Sequence, residues 1–319
     1  MWHKLLAAIG MKAQQGELMT SADYEFMRYV TEYGKQYATK AEFDLRAGIF
    51  AESLKTIEEH NASGASHQLG LNHLSDFTHA EYKQMLGYKA HLSQKKTVAP
   101  AALSEDNLAA EVNWVTKGAV TGVKDQGQCG SCWAFSTTGS IEGARQIAGS
   151  GLTSLSEENL VECSKANHGC QGGAMVLGFM YAEENPLMTE AEYPYTSGAG
   201  KKGECKYEAS KGVGNVGGFE EVSQSARQMQ AALAKGPVSV AIEADKTVFQ
   251  HYRSGVISGS TCGTKLDHGV LAVGYGSEDG EDYFLVKNSW GPSWGDEGYV
   301  KVGQANVCGI LMDAAYPTE

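Results

Sequence analysis

The sequence predicts an α+β chain: a helical N-terminal segment followed by two lobes, one mainly helical and one a small antiparallel β-barrel. Three observations predict it. Residues 40–61 carry Phe43, Ala47, Phe50, Leu54 and Ile57 at alternating steps of four and three, the spacing of one apolar stripe along a helix of about 20 residues. Residues 237–241, 269–274 and 283–286 are short apolar runs that read as strands. With 319 residues the chain is long enough for two cores.

At the extreme N-terminus, Lys4 and the run 5–10 give residues 1–13 the make-up of a short signal segment, without a clean small-x-small cleavage site; a truncated or altered start is the other reading. A first helix should start after Ser21 as N-cap, with Phe26, Val30, Tyr33 and Tyr37 as its inner face. In the second, Glu42 and Arg46 stand four apart and can pair. Residues 20–87 are thus expected to form a helical domain. Residues 88–107, with Lys95, Lys96, Pro100, several alanines and a Ser-Glu-Asp triplet, read as an exposed linker. From 108 to 319 follows the two-lobed part, helical over about 117–215 and barrel over about 216–308.

No stretch approaches 18 uninterrupted apolar residues, so no membrane span is expected. Asn61-Ala-Ser63 matches a glycosylation acceptor at a helix end. The net charge of -12 divides unevenly: 25 acidic against 15 basic residues from 108 onward, 13 against 11 before it. An acidic C-terminal part disfavours nucleic acid as a partner.

Residues 126–136 read Gln-Gly-Gln-Cys-Gly-Ser-Cys-Trp-Ala-Phe-Ser, with Cys132 opening an apolar, helix-compatible run. A thiol at a helix N-terminus sits in the positive end of the backbone dipole, which favours the nucleophilic thiolate. His268 stands at the mouth of a short strand, and Asn288 follows at the end of another. Cys, then His and Asn about 130 to 150 residues downstream, is a known spacing rule for thiol nucleophiles. Cys129-Gly-Ser-Cys132 also fits a Cys-x-x-Cys redox or zinc motif. For zinc, no second close Cys or His pair completes four ligands; for redox, the preceding residues 123–128 form a Gly-rich polar loop rather than a strand. No metal or other cofactor is expected.

Residues 108–319 resemble the mature enzyme of the papain family of cysteine proteases, nearest the cathepsin L branch. The motifs are those around Cys132, His268 and Asn288, together with Gly-Cys-Gln-Gly-Gly at 169–173. Glu42, Arg46, Phe50, Ile57 and Asn61 fall on the interrupted propeptide motif of cathepsin L-like zymogens, with Ser53 in place of asparagine. Gly70, Asn72 and Asp76 match a second propeptide motif, with Leu74 where phenylalanine is usual. Asn113-Trp114 and residues 117–121 resemble the mature start, which places that start within a few residues of Leu108 and makes the linker the place of cleavage.

The resemblance implies a papain-like two-lobe fold behind an inhibitory propeptide, with the active site between the lobes. Cys132 would be nucleophile and His268 its acid partner, resting as a thiolate and imidazolium pair. Asn288 would orient the imidazole and Trp290 shield it, while Gln126 and the Cys132 N–H would stabilise the oxyanion. It implies disulfides Cys129–Cys170, Cys163–Cys205 and Cys262–Cys308, which leave Cys132 as the odd thiol of seven and point to a lysosomal, vacuolar or secreted protein. Substrate would lie against Gly172, Gly173, Asp267, Trp290 and Trp294. An S2 pocket of Ala174, Met175, Ala241 and Gly269 would take Leu or Phe, and Asp313 at its far end would admit arginine, unless Asp313 turns out to solvent. The propeptide would inhibit in cis, running opposite to substrate, with Asp76 as pH sensor or plain turn residue. Protein and peptide substrates, cystatin-like inhibitors and a monomeric state are the expected partners and form. No occluding insertion is evident between Cys170 and Cys205. The alternatives are a catalytically silent binding protein of the same fold and, more remotely, a thiol oxidoreductase.

Overall fold

The computed structural model describes residues 19–93, 100 and 102–318. The candidate signal segment and most of the middle of the linker lie outside these residues. The N-terminal domain contains helices α1 (Ser21–Glu32) and α2 (Lys40–Ala62), strand β1 (His67–Leu69) and short helices α3 (His79–Gln84) and α4 (Ala90–Ser93). After strand β2 (Val112–Asn113) come α5 (Cys132–Ile147), α6 (Glu157–Cys163) and α7 (Met175–Glu184), the helical lobe. The sheet lobe follows with β3 (Gly218–Glu221), α8 (Ala226–Lys235), β4 (Val238–Ile242), α9 (Thr247–Gln250), β5 (Tyr252–Ile257), β6 (His268–Glu278), β7 (Glu281–Lys287), β8 (Tyr299–Gly303) and β9 (Ala314–Thr318).

Helix α1 is capped by Thr20 and not by Ser21: the Thr20 hydroxyl accepts from the Asp23 N–H, and the Asp23 carboxylate accepts from the Thr20 N–H, a reciprocal box. Its inner face is Phe26 and Tyr29, with Val30 beside them; Tyr33 and Tyr37, expected on this face, lie past the helix end and pack on the same cluster. Phe26 meets Phe43 edge-on at 5.1 Å and Tyr29 lies 4.9 Å from Phe50, so aromatic contacts join α1 to the stripe read from α2. Arg46 grips Glu81 through two bonds of 2.6 Å and stands 3.9 Å from Glu42, so the fork–fork partner comes from α3 and not from its own helix.

The Arg46 guanidinium, aided by the Thr78 cap, holds the Glu81 carboxyl down at about 2. A depressed acid contributes stability above its ordinary value of 4.5, and that contribution is lost as pH falls toward 2. Glu81→Gln is therefore expected to cost about 1 kcal/mol at pH 7 in urea unfolding, with parent and variant converging near pH 2.

The strands form one sheet in the order β1-β5-β8-β7-β6-β4-β9-β3, with β2 on β6. Two features differ from expectation. The barrel is not wholly antiparallel, because β5 and β8 pair in parallel, and it does not end at 308, because β9 returns to pair with β3 and β4. The N-terminal domain is also not purely helical: β1 adds an antiparallel strand to β5, pairing His67 with Gly255. The lobes meet along α5, whose small polar face allows close approach. Ser136 and Ser140 donate to the carbonyls of Val270 and Pro237 at 2.7 and 2.8 Å. A Cβ on Gly139 would come within 2.7 Å of Leu271.

Candidate active site

Cys132 is the first residue of α5, and His268 opens β6 from the facing lobe. The α5–β6 packing brings the Gly269 N–H, next to His268, within 3.3 Å of Cys132 Sγ, while His268 Nδ1 itself makes no hydrogen bond. Asn288 follows β7, and its side-chain oxygen lies 2.8 Å from His268 Nε2, which assigns the proton of that bond to the ring nitrogen. Trp290 stacks on the imidazole at 4.7 Å and 29°. Trp294 is buried and meets Trp290 edge-on at 5.2 Å, its indole N–H donating to the Gln250 carbonyl. It therefore supports the Trp290 shield.

The cleft is filled by the N-terminal domain, and the expected boundary at 87 moves: residues 85–89 run through the site and α4 continues beyond it. Gln126 Nε2 donates to the Met85 carbonyl at 2.8 Å and to Cys129 O at 2.8 Å. Its Oε1 accepts from Ser289 Oγ at 2.6 Å, which turns the amide N–H groups toward the cleft. Ser289 was not singled out from the sequence; its place beside Asn288 is the signal that marks it. The Gly87 and Gly269 N–H groups donate to Cys132 Sγ, each at 3.3 Å.

Gly173 accepts from the Lys89 N–H and donates to the Gly87 carbonyl, both at 2.8 Å, so that Tyr88 and Gly173 form a parallel bridge. Asn167 braces this wall by accepting from the Ala174 N–H at 2.8 Å. At Gly172, a Cβ would come within 2.4 Å of the Gly87 carbonyl. Asp267 presents its carbonyl to the Tyr88 N–H at 2.9 Å, while its carboxylate accepts from the Ala244 N–H at 2.8 Å. Tyr88 belongs to the core cluster that also holds Trp133, Ala174, Met175 and Ala241. Its hydroxyl donates to the Asp313 carboxylate, which stays partly exposed.

Burial acts on both titrating groups. Burial pushes the Cys132 thiol up to about 11, against the lowering effect of the Gly269, Gly87 and Trp133 N–H groups. Burial pulls His268 down to about 4, with Asn288 acting the other way. For both groups burial acts against the charged form, so the covered site opposes the ion pair expected for a resting enzyme. Asp267 is raised to about 7, again chiefly by burial.

Disulfides join Cys129 to Cys170, Cys163 to Cys205 and Cys262 to Cys308, and Cys132 is the free thiol. In the N-terminal domain, the Asp76 carboxylate accepts from Tyr29 at 2.7 Å, Lys35 at 2.8 Å and Tyr37 at 2.8 Å, and its carbonyl accepts from Arg46 at 2.9 Å. Asn61 and Asn72 tie down the chain on either side of β1, Asn61 through both bonds of the Leu69 peptide and Asn72 through the Gln250 carbonyl. A Cβ on Gly70 would come within 2.7 Å of the Arg253 side chain. Among the described residues no group of three or more His, Cys, Asp or Glu is arranged to hold a metal.

A family model for papain family cysteine protease matches residues 108–318, and one for cathepsin propeptide inhibitor domain (I29) matches residues 26–82. The probable cysteine protease RD21B of Arabidopsis thaliana is 44% identical over 303 residues; the match covers 91% of this chain and spans 65% of that protein. Digestive cysteine proteinase 1 of Homarus americanus is 40% identical over 321 residues, covering 95% of this chain and 97% of that protein. The solved structure of digestive procathepsin L 3 from Tenebrio molitor larval midgut superposes with a TM-score of 0.86 at 36% identity, over 94% of this chain and 100% of that one. This chain belongs to the papain family of cysteine proteases and carries a cathepsin-type propeptide inhibitor domain ahead of its peptidase domain.

Proposed function

We propose that the chain is the zymogen of a cysteine endopeptidase that hydrolyses peptide bonds through a covalent thioester. One observation carries the reading: the main chain at 85–89 occupies the reacting groups, with a carbonyl on Gln126 and an N–H on the Cys132 sulfur. It bridges Gly173 in the parallel sense, so it runs opposite to a strand that would pair antiparallel with the same wall. The prosegment thus inhibits by filling the cleft in a non-productive direction.

Once uncovered, Cys132 and His268 lose the desolvation that keeps them neutral, and proton transfer from sulfur to imidazole yields the nucleophile. Sulfur attacks the peptide carbonyl, and the negative oxygen is stabilised by the Gln126 amide and the Cys132 N–H, one such contact being worth about 3 kcal/mol. The imidazolium protonates the departing amine as the C–N bond breaks, and water then cleaves the thioester. Asn288 and Trp290 hold the ring plane throughout. Hydrolysis at pH 4 to 5 with a thiol reductant, accompanied by loss of about 100 N-terminal residues and absent in Cys132→Ser, is the expected result. Processing by an added protease with no turnover would favour a silent binding protein of this fold.

The P2 side chain is assigned to the pocket that Tyr88 fills. Its walls are apolar and its floor carries Asp313, so Phe or Leu should be preferred and Arg accepted. With dipeptidyl fluorogenic substrates, Asp313→Ala is expected to lower turnover of Arg-Arg about tenfold or more and leave Phe-Arg within about threefold. Equal loss on both would remove Asp313 from the pocket's chemistry. Three disulfides favour a lysosomal, vacuolar or secreted site of action. No helix among the described residues is long and apolar enough to cross a membrane. A monomer open to cystatin-like inhibitors completes the reading.

A further inference from the structure

Upstream of the peptidase domain, the chain is already fastened to the sheet lobe before residue 108. The side-chain amide of Gln228 on α8 pairs with both main-chain groups of Leu103, accepting from its N–H at 2.9 Å and donating to its carbonyl at 3.0 Å. It also donates to the Glu105 carboxylate at 2.6 Å, and Arg227 donates to the Glu105 carbonyl at 2.9 Å. The Leu103 side chain packs on the barrel core. Further along, Asn107 turns the chain at φ 56°, the Tyr275 hydroxyl donates to the Ala109 carbonyl at 2.9 Å, and Val112 and Asn113 join β6.

We propose that Gln228 and Arg227 form a docking site for the peptidase's own N-terminal tail, and that this site sets the processing boundary on the N-terminal side of Leu103. A protease takes its substrate as an extended strand whose N–H and C=O groups are free to pair with the enzyme. From Leu103 onward many of those groups are committed to α8, to Tyr275 or to the sheet, and the left-handed turn at Asn107 breaks the extended form. Hydrolysis therefore adds water across a C–N bond before Leu103: the prosegment leaves with the new carboxylate, and the new ammonium heads a peptidase that keeps residues 103–107. This moves the boundary upstream from the neighbourhood of Leu108, where the motifs alone place it. Arg227 lies on the exposed side and Gln228 is half-buried, so the clamp slows trimming without holding the fold together.

The inference rests on the reading above only in requiring a prosegment to remove. The test uses the full chain as Cys132→Ser, cut by papain added in trans at pH 5, so that the outcome is independent of this chain's own catalysis. Intact mass is followed over time. The expected product of the parent begins at residue 103 or earlier and persists. Gln228→Ala should give a product beginning within 106–109 at least tenfold faster, and Gln228→Glu, which keeps the acceptor for the Leu103 N–H but loses the donor, should fall between. Melting of each product checks that the peptidase domain stays folded. Trimming of the parent into 104–109 as fast as Gln228→Ala would overturn the proposal.

Discussion

Gly87→Ala should leave the zymogen unable to stay shut. The main chain at 87 passes so close to the helical lobe that a Cβ there would lie 1.8 Å from the Gly130 carbonyl oxygen and 2.4 Å from its carbon. Both opposing atoms are backbone. Gly130 has no slack to yield, because its own N–H is bonded to the Cys170 carbonyl at 3.0 Å and its Cβ position is itself within 2.6 Å of that oxygen. Overpacking of a flexible core costs about 1 to 3 kcal/mol; against two fixed backbones the upper end applies, and about 3 kcal/mol is roughly a hundredfold in the closed-to-open ratio. The displaced segment also takes away the Gly87 N–H from Cys132 and the Met85 carbonyl from Gln126. The readout is alkylation of Cys132 by iodoacetamide at pH 7, slow in the parent because the thiol is buried and held neutral, and about a hundredfold faster in the variant. A variant thiol as protected as the parent's would mean that the segment can cross the cleft without this contact.

That glycine was not singled out from the sequence, and the reason is physical. Cys132, His268, Asn288 and Gln126 were legible because a thiol nucleophile needs particular residue types, and few sequences offer them in that order. The stripe from Phe43 to Ile57 was legible because helical periodicity is local. The plug at 85–89 has neither mark. It is a short irregular stretch whose importance lies entirely in what it touches more than 40 residues away, and the expected boundary between helical domain and linker, at 87 and 88, cuts through it. Strand β1 is hidden for a similar reason: its three residues cannot display a period, and only pairing with β5 makes them a strand. Tyr29 was passed over because Val30 fits the apolar stripe better, although the structure uses the phenol to bond Asp76.

The closed state also carries its own acid sensitivity, and the second large effect should appear at His67. This ring lies on β1 at the seam between prosegment and peptidase; it is 1% exposed and neither nitrogen has a hydrogen-bond partner. His60 from α2 lies against it at 4.5 Å, and Gly255 is its partner across the strands. Burial, then the neighbouring His60, pulls its pKa from 6.5 to about 4. For a base with a lowered folded value, the unfolded chain binds the extra proton between those limits, so stability is full above about 6.5 and falls as pH drops toward 4. One proton corresponds to about 1.4 kcal/mol per pH unit. His268 acts in the same direction, while Asp267, raised to about 7, opposes it below neutrality. A comparison of two chains that differ only at His67 cancels both. In the Cys132→Ser background, His67→Leu keeps an apolar filling at this site without the titrating group. Its urea midpoint should gain on the parent progressively from pH 6.5 to pH 4, by about 2 to 3 kcal/mol in all. The Arg46–Glu81 clasp, intact until pH nears 2, contributes little to this window. Parallel pH profiles for the two chains would show that the buried ring takes up no proton on opening, and acid release of the prosegment would then rest on other groups, with Asp76 and its three donors the first to test.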